Sequence, residues 1–148
     1  MNRTKLREIA VHFSYEMGFD AGEADELIDR RYDGEYFSTL GKEDDLYNDR
    51  PDAEQMKYLR RIVNGVSEHR PELDGYIDKY SKGWKFSRIS MVAVAIMRVA
   101  MFEILYMEDV PDGAAINEAV EIAKKYESNE TVAFINGILG TFVREEKK

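Results

Sequence analysis

The feature that most restricts this chain is an apolar run from Met91 to Met107, in which Arg98 and Glu103 are the charged residues. The run falls short of the ~20 residues that a membrane-spanning helix needs. A helix that is apolar on every side has to be wrapped by other elements, so the run predicts the buried central helix of a bundle, from about Ser87 to Met107. Arg98 and Glu103 are too far out of phase to share a helical face. An unpaired buried charge is costly, so each is expected to find its partner on another element.

The flanking sequence supplies the helices that would do the wrapping. Leu6, Ile9, Ala10, Phe13 and Met17 fall on one stripe at helical spacing. Gly18 is placed to end that helix, and Asp20 with Glu23 reads as an acidic capping box before Ala24, Leu27 and Ile28. This second helix fades through Arg30 to Gly34, and a polar connection runs from Gly41 to Pro51. Pro51-Asp52 with Gln55 starts a third helix that buries Met56, Leu59, Ile62, Val63 and Val66. Pro71 opens another, holding Leu73, Tyr76, Ile77 and Tyr80, and Lys82-Gly83-Trp84 marks a turn. After a turn at Val110-Pro111-Asp112-Gly113, one helix carries Ala115, Ile116, Ala119, Val120 and Ala123. Ser128-Asn129 begins the last, with Phe134, Ile135, Ile138, Leu139 and Phe142 on its apolar side. Gly137 and Gly140 inside it suggest close approach of another helix, since glycine there costs ~1 kcal/mol relative to alanine. No stretch alternates as a strand does. The expected class is all-α, with about seven helices in two packed antiparallel halves, residues 1–70 and 71–148 of one domain.

Composition removes several classes of activity. The chain has no cysteine, which excludes disulfides, thiolate metal sites and cysteine nucleophiles. Its two histidines, His12 and His69, lack the glutamate three residues earlier that a di-iron bundle requires. Glu8 and His12 form only an ordinary i,i+4 pair. No phosphate-cradling glycine loop or nucleophile elbow occurs, and the amino terminus has no apolar segment suited to a signal peptide. These readings favour binding over turnover, with no cofactor. The net charge of −8 disfavours nucleic-acid binding through bulk charge, so any such binding needs a local basic patch or a basic partner.

One such patch is available. Arg3, Lys5 and Arg7 stand at the start of the first helix, where they oppose the helix dipole, a cost that contact with phosphate would offset. The bland alternative is a solvated, frayed terminus. Lys124 and Lys125 complement the dipole at a helix end, and Arg30-Arg31 and Arg60-Arg61 read as solvated faces. Phe134 is either a core residue or a stacking platform for a base.

Several segments together resemble the NusB family of transcription antitermination factors: Met97 to Ile104, then Val110-Pro111, Ala115 to Lys124, and Phe134-Ile135-Asn136-Gly137-Ile138-Leu139, in that order and spacing. Arg7 to Val11 with Tyr15 is similar to the family's first helix. The resemblance implies a bacterial cytoplasmic protein that binds boxA RNA together with NusE, a small-subunit ribosomal protein. Its setting would be the RNA polymerase antitermination complex during ribosomal RNA transcription. It implies phosphate contacts for Arg3, Lys5 and Arg7, places Lys124, Glu130 and Phe134 near the RNA, and turns Tyr15 toward NusE. Thr4 interrupts the denser arginine run usual in the family, which predicts a shallower salt dependence. Met91 to Ala95 is more apolar than usual and suggests a self-association surface, hence a homodimer or scaffold. Since NusB-like domains also precede RNA methyltransferases, an accessory role beside such an enzyme is a further alternative.

Overall fold

The computed structural model describes residues 1–17, 23–41 and 44–147, the side chain of residue 35 excepted. The expected end of the first helix at Gly18, and the contribution of Asp20 to a cap, lie outside the described residues. Eight α-helices are found among them: α1 Arg3–Met17, α2 Ala24–Arg31, α3 Gly34–Leu40, α4 Ala53–Glu68, α5 Arg70–Tyr80, α6 Met91–Tyr106, α7 Asp112–Tyr126 and α8 Asn129–Glu146. Short 3₁₀ turns occur at Asp45–Tyr47 and Phe86–Arg88. The described residues contain no strand, and none of their helices is long and apolar enough to cross a membrane.

Local chemistry sets the helix starts. Asn2 accepts a hydrogen bond from the Lys5 amide at 2.9 Å and caps α1. Asp52 and Gln55 form the expected capping box of α4. Pro71 lies in the first turn of α5, where its missing N–H costs nothing. Ser90 caps α6 by accepting from the Ala93 amide at 3.0 Å, so the central helix begins at Met91 and the preceding Phe86–Arg88 forms the separate 3₁₀ turn. The α-helix beyond the seven expected is α3, whose short Gly34–Leu40 sequence carries no helical stripe of its own.

Every residue of α6 from Ala93 to Ile104 is buried, because α1, α4, α5, α7 and α8 all pack against it. Of the apolar Met91–Ala95 stretch, Ala93, Val94 and Ala95 are buried in the core, while Met91 and Val92 stay half-buried at its start. α1 runs antiparallel to α6, with Arg7 on Glu103 and Tyr15 in a groove shared with Val92. α7 folds back along α6, so that Ser90 donates to Glu127. α8 packs against α5, with Tyr76 against Phe142 and Tyr80 donating to Glu146. The buried residues of all these helices form one continuous core.

Arg98 and Glu103 find partners on different elements, as their spacing requires. Arg98 holds Asp74 of α5 through two hydrogen bonds at 2.7 and 2.9 Å, while Glu103 accepts from Arg7 of α1 and Tyr58 of α4. The two glycines of α8 do not mark a close approach. Gly137 is exposed with open space where a Cβ would stand, and Gly140 faces only the Arg144 side chain. The close approach is at Gly65, where a Cβ would collide with the Phe102 ring. α4 can cross α6 at this separation only because residue 65 has no side chain.

Arg31 departs from its expected place on a solvated face. Its guanidinium pairs with Glu16, donates to the Tyr47 hydroxyl at 2.8 Å and lies over the Phe13 ring. Its aliphatic stem and planar head cover apolar surface between α1 and the 3₁₀ turn at Asp45–Tyr47, a use of arginine that charge patterning along one helix does not reveal.

Candidate functional site

α1 and α7 lie side by side and run in the same direction. Thr4 donates to Glu118 at 3.0 Å, and Glu8 further along accepts from Lys125 at 2.7 Å. Of the candidate residues, Arg3, Lys5 and Lys124 are exposed on these two helices. Arg3 is exposed, lies over the Tyr58 ring at 4.0 Å and pairs loosely with Asp109 at 3.5 Å. Lys5 is exposed, and its ammonium makes no ion pair or hydrogen bond among the described residues. It stands one turn before Glu8, next to Thr4 at the start of α1.

Arg7 is separated from these two. Its side chain is only 9% exposed and donates through Nε to both oxygens of Glu103, at 2.9 and 3.0 Å. Tyr58 donates to the same carboxylate at 3.1 Å. Burial works against the Arg7 cation, but its hydrogen bond to Glu103 and the surrounding negative charge outweigh burial and hold the pKa above the usual arginine value. Burial, reinforced by Glu103, pushes the Tyr58 phenol up. The cluster ties α1, α4 and α6 together beneath the exposed edge. Arg7 therefore positions α1 and does not itself face solvent.

A second polar cluster fixes the middle of the edge. Tyr126 donates to Glu8 and lies 2.9 Å from Nε2 of His12, whose Nδ1 is 3.1 Å from the Tyr47 hydroxyl. Glu8 and His12 thus meet through Tyr126, beyond their local helical spacing. Burial holds the His12 ring below its ordinary pKa despite the nearby carboxylates of Asp44 and Glu8. Burial pushes the Tyr47 phenol up to about 12 against the favourable charge of Arg31.

At the far end of α7 the exposed Lys124 pairs with Glu121 at 2.9 Å, and the chain turns through Ser128 into α8. Glu130 is exposed in the first turn of α8. Phe134, one turn on, is half-buried and packs its ring on Trp84, with centroids 4.8 Å apart. Phe134 is thus neither a closed core residue nor an isolated platform; it is one half of a surface aromatic pair. Trp84 is visible in the sequence only as part of a turn, because two rings so distant along the chain give no local sign that they meet. Tyr15 lies on a different face, in an apolar groove of about 360 Å³ with Val11, His12, Val92 and Tyr126.

The candidate residues therefore fall into three groups. Arg3 and Lys5 at the start of α1, Lys124 at the end of α7, and Glu130 and Phe134 in the first turns of α8 are solvent-accessible, while Tyr15 lines the neighbouring groove and the Arg7 side chain lies buried beneath α1. α7 has 15 residues, so the edge is about 22 Å long at 1.5 Å per residue. It is an open strip with alternating cations and carboxylates. Among the described residues no group of histidine and acidic side chains is placed to hold a metal ion.

An all-helical fold wrapped around one buried central helix, with exposed cations and carboxylates along α1 and α7, defines the class of this chain. The chain belongs to the NusB family, whose model matches residues 4–144. It is 42% identical to the transcription antitermination protein NusB of Acetivibrio thermocellus, over 97% of this chain and 90% of that protein. It is 37% identical to the protein of the same name from Symbiobacterium thermophilum, over 99% and 92%. Among solved structures it resembles T. maritima NusB with a TM-score of 0.79 and 25% identity, covering 98% of this chain and 92% of that one. The fold also matches that in the crystal structure of antitermination factors NusB and NusE in complex with dsRNA, with a TM-score of 0.72, 20% identity and 96% of each chain covered.

Proposed function

We propose that this protein is an RNA-binding transcription antitermination factor that binds boxA-type RNA together with the ribosomal protein NusE. In this reading it joins the RNA polymerase antitermination complex during ribosomal RNA transcription in the bacterial cytoplasm, and it turns over no substrate. The observation that carries the reading is the exposed α1–α7 edge in a chain of this family: Lys5 is unpaired and Arg3 is held only by a long contact. Free cations are what a polyanion exchanges for its counterions. Arg3, Lys5 and Lys124 take phosphates, and Phe134 offers a ring face to a base. Glu130, one turn before Phe134, repels phosphate, so the backbone of the RNA passes on its far side. Arg7 supports this surface from beneath through Glu103. The groove at Tyr15 takes NusE. Fixed carboxylates along the edge and a net charge of −8 make binding by this chain alone weak, and a basic partner completes the site.

The test is a titration of boxA-containing RNA with this protein, without and with NusE from the same organism, at two salt concentrations. Binding that tightens with NusE, weakens with salt and falls when boxA is scrambled is expected. Absence of binding in both arms would overturn the proposal.

A further inference from the structure

The stretch from Lys79 to Phe102 contains no aspartate or glutamate, although the chain has 29 acidic residues against 21 basic ones. Three cations of this stretch, Lys82, Lys85 and Arg88, lie in the turn between α5 and α6. All three are exposed, and none makes an ion pair or side-chain hydrogen bond among the described residues. By contrast, among the described residues Arg7, Arg31, Arg60, Arg98, Lys125 and Lys147 each hold a carboxylate. The turn therefore concentrates uncompensated positive charge on a protein that is otherwise strongly acidic.

The same turn displays an aromatic side chain. Trp84 is 41% exposed and packs on Phe134. Its backbone is held firmly: the buried Ser81 hydroxyl reaches the carbonyls of Asp78 and Trp84 at 3.2 and 3.3 Å, and the Trp84 amide donates to the Ser81 carbonyl at 3.0 Å. Gly83 takes φ of +82° to close this turn, a conformation in which other residues are strained. Exposing a large ring on a rigid turn, between free cations, forgoes the burial that usually justifies tryptophan. Stacking on a base between phosphate-bound lysines recovers it. The patch is also continuous with the edge described above, because Phe134 belongs to both.

We propose that the α5–α6 turn is a second contact for single-stranded RNA, in which Lys82, Lys85 and Arg88 take phosphates and Trp84 extends the Phe134 platform by one base. This rests on the RNA-binding reading, and it lengthens the RNA footprint beyond the α1–α7 edge. Trp84 is the one tryptophan of the chain, so its fluorescence reports on this turn alone. Titration with a boxA-containing single-stranded RNA is expected to quench it. The Lys82→Ala, Lys85→Ala, Arg88→Ala triple variant is expected to lower the slope of log affinity against log salt by about 2, at roughly 0.7 per phosphate contact. Trp84→Ala is expected to weaken binding of a labelled RNA by roughly tenfold. The altered side chains are exposed, and an unchanged melting temperature checks the fold of each variant.

Three results would overturn the inference. Wild-type binding with no change in fluorescence, and with the triple variant indistinguishable while Lys5→Ala binds less well, would overturn this contact and leave the edge intact. A fluorescence response to anionic lipid vesicles but not to RNA would assign the turn to a membrane surface instead. Failure of the wild-type protein with NusE to bind any RNA would overturn the underlying reading and this contact with it.

Discussion

Arg7 reaches across from α1 to place Nε within 2.9 and 3.0 Å of the two oxygens of Glu103, at the heart of the apolar central helix. With Tyr58 donating to the same carboxylate, three helices share one satisfied buried charge. Removing one partner strands the other, which costs far more than the pair contributes over an apolar replacement. Arg7→Ala is expected to destabilise the fold by about 3–5 kcal/mol, and a joint Arg7→Met, Glu103→Leu replacement to recover most of that loss. Urea unfolding of both variants measures this. If Arg7→Ala keeps full stability and loses only RNA affinity, the arginine faces RNA and not the core.

Two glycines should respond in opposite directions to the same substitution. Gly65→Ala drives a methyl group into the Phe102 ring and is expected to cost about 1–3 kcal/mol. Gly137→Ala meets open space within α8 and is expected to add about 0.5–1 kcal/mol through helix propensity. The shift in urea midpoint gives both signs in one experiment.

His12 predicts a pH dependence of stability. Its folded pKa lies below the unfolded value of about 6.5, chiefly through burial. The unfolded chain therefore binds more protons than the folded one between the two values, and stability rises with pH across that interval. The contribution is present above about pH 6.5 and is lost as pH falls through the folded value. Melting temperatures from pH 5 to 8 should fall on the acid side for the wild type, and His12→Gln should flatten that part of the curve; equal slopes in the two proteins would contradict the assignment.

For the exposed edge, Lys5→Ala and Lys124→Ala are expected to weaken RNA binding at low salt and to reduce the salt slope by roughly 0.7 each. Neither should move the melting temperature, because Lys5 is unpaired and Lys124 holds only an exposed i,i+3 partner. Fluorescence anisotropy of labelled boxA RNA in the presence of NusE provides the measurement.

The helical class, the central position of residues 91–107, the α4 capping box and the opening of α5 at Pro71 were legible in the sequence. They follow from periodicity, apolarity and local hydrogen bonding, which act within a few residues. The local signals do not show α3, because a short helix without a stripe is held by its surroundings. Nor do they separate Gly65 from Gly137, since crowding at a glycine is set by another helix.

The candidate site divides along the same line. Residue type alone marked Arg3, Lys5 and Arg7 as one basic cluster, yet burial against Glu103 takes Arg7 out of it. Phe134 gained its meaning from Trp84, and Arg31 from Glu16 and Tyr47. By itself the sequence determined that the chain folds into helices around one apolar helix, and that any anion-binding surface is local. Only the tertiary structure decided which charges are spent inside and which remain free, because the partner of a charge is chosen by packing between helices far apart along the chain.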